Sequence, residues 1–285
     1  MLVTFLAAGI AVQAQEVSAR FSRESFTLGS ITLPYRCAVL TPNNQTTNLP
    51  NDPLPALVLY LHGGSSRGSD NEAQLKEKAV SVIYQYLLDH DIAATFIVPQ
   101  CPTDGGWTSQ NRKVVNELLK SYVSEGTVDA DRIYVMGGSM GGTGTWCQLS
   151  YFPDFYAAAM PVAGNPTGMN AANVASTPVL TVMGTADNLM SIPAVETFMA
   201  DVITAGGLVL LDTEEGWSHP TTCEQSYTDE RLDWLFAHSR SPDTGIRNVS
   251  SAPNTPSVVY DLSGRPVNHP ASGFYIKAGK KFIER

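Results

Sequence analysis

The chain has 285 residues, 43% hydrophobic and 16% charged, which is enough to bury one substantial core without a second large domain. Its formal net charge of -9, unrelieved by any run of Lys or Arg, repels phosphate backbones and anionic membranes, so no nucleic-acid partner is expected.

Residues 1–14, MLVTFLAAGIAVQA, form an apolar run that ends in the small-residue pattern of a signal-peptidase site. The run is too short to span a bilayer, so the expectation is a signal peptide and a secreted or cell-surface protein, with the periplasm as the alternative. No other stretch is long and apolar enough for a membrane helix. Phe26 to Leu40 alternates and turns at Gly29-Ser30, which predicts an antiparallel hairpin. Short continuous apolar runs follow at Ala56 to Leu61, Ala94 to Val98, Arg132 to Met136, Ala157 to Val162, Val179 to Met183 and Leu208 to Leu211. Such runs suit strands buried on both faces. Helical stretches lie between and after them, at Glu72 to Leu88, Arg112 to Val123, Gly142 to Ser150, Ala194 to Ala205 and Asp229 to His238. The alternation predicts an α/β chain with a mainly parallel central sheet covered by helices on both faces, over residues 15–239. Beyond Ser239 the composition turns to a Ser/Pro/Asn-rich linker. Val258 to Leu262 and Gly273 to Glu284, with turns at Ser263-Gly264 and Ala278-Gly279, then predict a small C-terminal β-ribbon within residues 240–285.

The four cysteines, Cys37, Cys101, Cys147 and Cys223, lack CxxC spacing, which leaves no support for a zinc or thioredoxin-type site. In an exported chain one or two disulfides are open to them, in any of three complete pairings.

The segment DRIYVMGGSMGGTG at 131–144 carries an apolar strand into Gly137-Gly138-Ser139-Met140-Gly141 and then into a helix. Glycines two residues before and two after a serine on so sharp a turn relieve contact with the neighbouring strand and helix. The turn lifts the Ser139 hydroxyl above the sheet and directs the Met140 amide at a developing oxyanion. A serine hydroxyl needs a base to take its proton during attack. Of five histidines, His62 and His90 precede the serine, His238 ends a helix and His269 lies in the tail. His219, in the loop after the last core strand, is therefore the candidate base. Asp187, just after the Val179 to Met183 strand, is favoured as the acid that orients it, with Asp212 as competitor. A second oxyanion donor is expected in the turn His62-Gly63-Gly64-Ser65, from Gly64 or alternatively Ser65. His62 itself reads as a structural histidine, and Arg67 is expected to pair with Asp70 across this loop. Trp107 and Trp217 are candidate substrate walls, with core packing an equal reading of each.

Over Leu59 to His219 the sequence resembles the polyhydroxybutyrate depolymerase, feruloyl esterase and acetylxylan esterase branch of the α/β hydrolases. The resemblance is carried by LHGGSSRGSDN at 61–71 in outline, PQCP at 99–102, DRIYVMGGSMGGTGTW at 131–146, FPDFYAAAMPVAG at 152–164 and GTADN at 184–188. It implies cofactor-free cleavage of a carboxylic ester, small or linked to a plant cell-wall polysaccharide, by Ser139, Asp187 and His219. It departs where Gly216-Trp217-Ser218 leaves little room for a lid before the histidine. The tail VVYDLSGRPVNHPASGFYIKAGKKFIER resembles the C-terminal sorting segments of proteins exported by type IX secretion, which implies secretion machinery as a partner. A serine peptidase of the same fold and a catalytically silent surface or carbohydrate-binding protein are the alternatives.

Overall fold

Every residue of the runs Ala56–Leu61, Ala94–Pro99, Ile133–Gly138, Ala158–Val162 and Val179–Gly184 is buried, so each needs a neighbouring strand on both edges and a layer over both faces. A computed structural model describes residues 17–41 and 53–240 and the strand residues 259–261, 266–267, 273–277 and 280–284. The predicted signal segment and the Ser/Pro/Asn-rich linker lie outside the described residues. The chain divides into two units, Met1–Arg240 and Ser241–Arg285.

In the first unit the strands are β1 (Ser22–Leu28), β2 (Ile31–Leu40), β3 (Ala56–Leu61), β4 (Ala94–Pro99), β5 (Ile133–Gly138), β6 (Ala158–Val162), β7 (Val179–Gly184) and β8 (Val209–Glu214). They form one sheet in the order β1-β2-β4-β3-β5-β6-β7-β8. The β1-β2 hairpin and the β2-β4 pair are antiparallel, and β4 to β8 are joined in parallel. The hairpin starts at Ser22, earlier than predicted, because the exposed residues of Ser22–Leu28 carry little apolar alternation.

Side chains alternate across a strand, and the two faces of β3 show it: Leu57, Leu59 and Leu61 enter one core, Ala56, Val58 and Tyr60 the other. The first core is closed by α2 (Asn111–Ser124), α3 (Met140–Tyr151) and α5 (Ile192–Thr204) through Val114, Leu118, Trp146, Val195 and Phe198. The second is closed by α1 (Lys78–Asp89) and α7 (Asp229–Phe236) through Val80, Ile83, Leu87, Leu232 and Leu235. Two short helices escaped the sequence pattern, α4 (Ala171–Val174) and α6 (His219–Gln225), each too brief to show a helical period.

Chain order reverses around β3, which lies between β4 and β5. The segments leaving the carboxyl ends of β3 and β5 therefore diverge, and the crevice between them is where an open α/β sheet holds its ligands.

The second unit is a four-stranded antiparallel sheet in the order β10-β9-β11-β12, with β9 Val259–Asp261, β10 Pro266–Val267, β11 Gly273–Lys277 and β12 Lys280–Glu284.

Candidate active site

Between β5 and α3 the chain reverses within one residue, and Ser139 takes it through φ 59°, ψ -119°. Positive φ is costly for a residue with a side chain, so the surroundings must enforce it. They do so by close approach. A methyl group on Gly141 would stand 1.7 Å from the Leu61 carbonyl oxygen, and one on Gly137 2.4 Å from the same atom. The Ser139 N–H donates to Val162 O of β6 at 3.0 Å, locking the turn to the sheet.

His219 opens α6 rather than lying in a loop, with Ser218 as the capping residue and Pro220 in the first turn. The turn before it is stitched to the end of β7. Ala186 N donates to Trp217 O at 3.1 Å, Gly216 N donates to Thr185 Oγ1 at 2.8 Å, and a Cβ on Gly184 would meet Trp217 O at 2.2 Å. This junction brings His219 over the elbow. Ser139 Oγ donates to His219 Nε2 at 2.8 Å, and His219 Nδ1 donates to Asp187 Oδ2 at 2.7 Å. The Asp187 side chain has no exposed area and that of His219 only 12%. The other Asp187 oxygen accepts from the N–H groups of Leu189 and Met190 at 2.8 and 3.0 Å, so the carboxylate is fixed from both ends. Asp187 does not cap the following helix; Ser191 does. Asp212, the competitor, is turned away and held by Arg231 Nε at 2.9 Å, with Glu214 on the same guanidinium.

Met140 is the first residue of α3, where backbone N–H groups have no intrahelical acceptor. Gly64 begins the short 3-10 turn Gly64–Ser66 after β3. That turn lies beside Ser139, since a Cβ on Gly63 would be 3.7 Å from Ser139 Cβ. His62 is fully buried and structural. Its Nε2 accepts from Cys101 N at 2.9 Å and its Nδ1 donates to Gly63 O at 2.6 Å, while burial pushes its pKa down to about 4. The neutral ring thus holds a single tautomer.

Three expectations are corrected. Trp107 is no substrate wall: it is 1% exposed, packs its ring edgewise on His62 and donates its indole N–H to His62 O at 2.9 Å. A bulky indole at the end of a short Gly-containing loop found more contact area in the core than at the crevice. Arg67 does not pair with Asp70. Its Nε donates to Met140 Sδ at 3.2 Å, while Asp70 accepts from Gln100 Nε2 at 2.7 Å and from the N–H groups of Glu72 and Ala73. All four cysteines are free thiols. Trp217 is half-buried on the turn leading to His219.

Two neighbours of the site were invisible in the sequence. Cys223 sits one helical turn after His219, its Sγ 3.9 Å from His219 Nε2, and burial pushes its thiol up to about 12. Glu77, just before α1, reaches back under the Gly63 turn. The i,i+4 spacing would have exposed Cys223 had α6 been recognised; nothing marked Glu77. No group of three or more His, Cys, Asp or Glu among the described residues could hold a metal ion.

Comparison with known proteins places this geometry among relatives. The model of the prolyl oligopeptidase family matches residues 112–168, the stretch from α2 through Ser139 to just beyond β6. An uncharacterized secreted protein of Arthroderma benhamiae is 33% identical over 114 residues, which is 39% of this chain and 12% of that protein. Among solved structures, a thermostable esterase superposes with a TM-score of 0.69 at 25% identity, over 79% of this chain and 64% of its own. An acylaminoacyl peptidase of Pyrococcus horikoshii superposes with a TM-score of 0.55 at 13% identity, over 80% of this chain and 43% of its own. The chain thus spans less than two thirds of the length of each of these relatives. The fold is that of the α/β hydrolases.

Proposed function

We propose that the protein is a serine hydrolase that cleaves carboxylic esters through an acyl-enzyme. The observation that carries this reading is the unbroken Asp187, His219, Ser139 chain at 2.7 and 2.8 Å. Attack by Ser139 Oγ on the ester carbonyl passes its proton to His219 Nε2, while Asp187 holds the imidazole tautomer and stabilises the imidazolium that forms. The carbonyl oxygen becomes an oxyanion facing the amides of Met140 and Gly64. Collapse expels the alcohol, which takes the proton from His219. Water then repeats the sequence and frees the acid. All of this uses side chains and amides of the chain itself, so the reading needs no cofactor.

Esters are favoured over amides by the likeness to the thermostable esterase, together with the sequence resemblance to feruloyl and acetylxylan esterases. Only Glu215 to Ser218 separate β8 from His219, too few residues for a covering insertion at that point. A site without an insertion at that point suits an acyl group displayed on a polysaccharide; Trp217, two residues before His219, and the 72% exposed Leu189, two residues after Asp187, are the side chains we propose it would meet. The match to the prolyl oligopeptidase family favours a second reading, a serine peptidase. Export, by the N-terminal segment and the type IX-like tail, accords with the secreted relative from Arthroderma benhamiae.

A fluorophosphonate probe, followed by a panel of acetyl, feruloyl and longer-chain esters against aminoacyl amides, tests the proposal. Labelling with ester turnover well above amide turnover is expected. The reverse preference would make the protein a peptidase, and absence of labelling would make it a binding protein.

A further inference from the structure

Glu77 is a half-buried carboxylate with three neutral donors around it. Oε1 accepts from Gly63 N at 2.8 Å and from Ser66 Oγ at 2.7 Å, and Oε2 accepts from Tyr60 Oη at 2.7 Å. Gly63 and Ser66 bracket Gly64, so one carboxylate grips both ends of the turn that carries the proposed second oxyanion donor. From the other side His62 Nδ1 donates to Gly63 O at 2.6 Å. The Gly63 carbonyl and the Gly64 N–H belong to one trans peptide plane and point in opposite directions. Glu77 thus holds the preceding plane at Gly63 N and, through Ser66, the far end of the turn, while His62 Nδ1 and Ser66 N (3.3 Å) hold Gly63 O; with both planes flanking Gly63 held, the direction of the Gly64 N–H is set.

We infer that Glu77 is a positioning residue that holds the Gly63-Gly64 turn as a preformed oxyanion donor, resting on the ester-hydrolase reading above. Burial disfavours its charged form, and its pKa is raised accordingly. The groups facing it are Tyr60 from β3, Ser66 from the turn, and Cys223 and Tyr227 from α6 and the segment after it, none of them cationic. A carboxylate serves here because it is a pure acceptor. It can take three hydrogen bonds at once, whereas a shorter or apolar side chain would leave Gly63 N–H buried without a partner.

The test compares Glu77→Ala, Glu77→Asp and Glu77→Gln with the full-length wild type on its best ester. Turnover is expressed per serine titrated by the fluorophosphonate, so that misfolded molecules drop out. Glu77→Ala is expected to lower kcat about 100-fold with KM within roughly threefold, since a donor displaced by about 1 Å loses much of its effect on the transition state. Inhibition by a trifluoromethyl ketone of the same acyl shape, which needs the same oxyanion contact, should weaken in parallel with kcat/KM. Glu77→Gln keeps an oxygen for Gly63 N–H and Ser66 and should stay within about fivefold of wild type, while Glu77→Asp cannot reach and should fall at least about tenfold. If Glu77→Ala does not fold, the Asp and Gln pair decides. Turnover per titrated serine within twofold of wild type in Glu77→Ala or Glu77→Asp, or losses confined to KM or to the titrated fraction, would overturn the inference. A wild type that neither labels nor turns over any ester would overturn the ester-hydrolase reading and the inference with it.

Discussion

The roles proposed for individual residues separate by what each side chain touches. Asp187 is held by His219 and two backbone amides, whereas Asp212 is committed to Arg231. Asp187→Asn should leave Ser139 in place yet lower turnover roughly 10³- to 10⁴-fold, because the amide favours the wrong imidazole tautomer. Asp212→Asn should be mild in turnover; equal losses in steady-state kinetics would refute the division. His62 makes a different prediction, one of stability. Its folded pKa of about 4 lies below the unfolded value near 6.5, so the unfolded chain binds the extra proton first. The stabilisation is complete above about pH 6.5 and is lost as pH falls toward 4, amounting to roughly 3 kcal/mol. Glu77, whose pKa burial raises, acts in the opposite sense. Melting curves from pH 7 to 4.5 should therefore show a smaller acid loss in His62→Gln than in wild type; parallel curves would count against a neutral buried His62. That Ser139, His219 and Asp187 would come together was legible because few residues of the right type stand after the right strands, and the hydrogen bonds join them. Glu77 was not, since its partners are Gly63, Ser66 and Tyr60, brought to it by the fold and not by any local spacing.

At the scale of elements, the elbow rests on two backbones in near contact. Gly141 has no room for even a methyl group against Leu61 O, and the obstacle is main chain that cannot rotate away. Gly141→Ala should cost on the order of 4 kcal/mol or more and lower the melting temperature by at least about 10 °C, or prevent folding. Gly106→Ala, where nothing lies within 4 Å of the added carbon, should stay within about 0.5 kcal/mol of wild type. Comparable melting curves for the two variants would mean that the elbow is less tightly packed than described. Fully buried parallel strands announced themselves as continuous apolar runs, and the predicted Ala56 to Leu61 matches β3 residue for residue. α6 did not, because seven residues opened by His219-Pro220 read as a loop. The exposed strand β1 was cut short for the opposite reason: its polar residues show too little alternation to define an edge.

For the whole molecule, every residue of the proposed mechanism lies in the unit ending at Arg240. Arg240 itself belongs there, with its N–H on Asp131 O at 2.9 Å, one residue beyond the boundary expected from composition. A chain of residues 15–240 should therefore keep turnover within about twofold and its melting temperature within a few degrees of a chain of residues 15–285. Loss of most turnover would show that the tail belongs to the hydrolase. Localisation in the native host tests its proposed role in export. The alternation of strands and helices was enough to read the layered architecture; which crevice it builds follows from the reversal of strand order at β3, a property of the assembled sheet. The central claim, that Ser139 is the nucleophile of an esterase, is tested most directly by fluorophosphonate labelling and ester turnover of the wild type beside Ser139→Ala. Labelling of the wild type alone, with turnover lower by several orders of magnitude in the variant at an unchanged melting temperature, is predicted. Labelling of the variant, or retention of more than about a tenth of wild-type turnover, would contradict it.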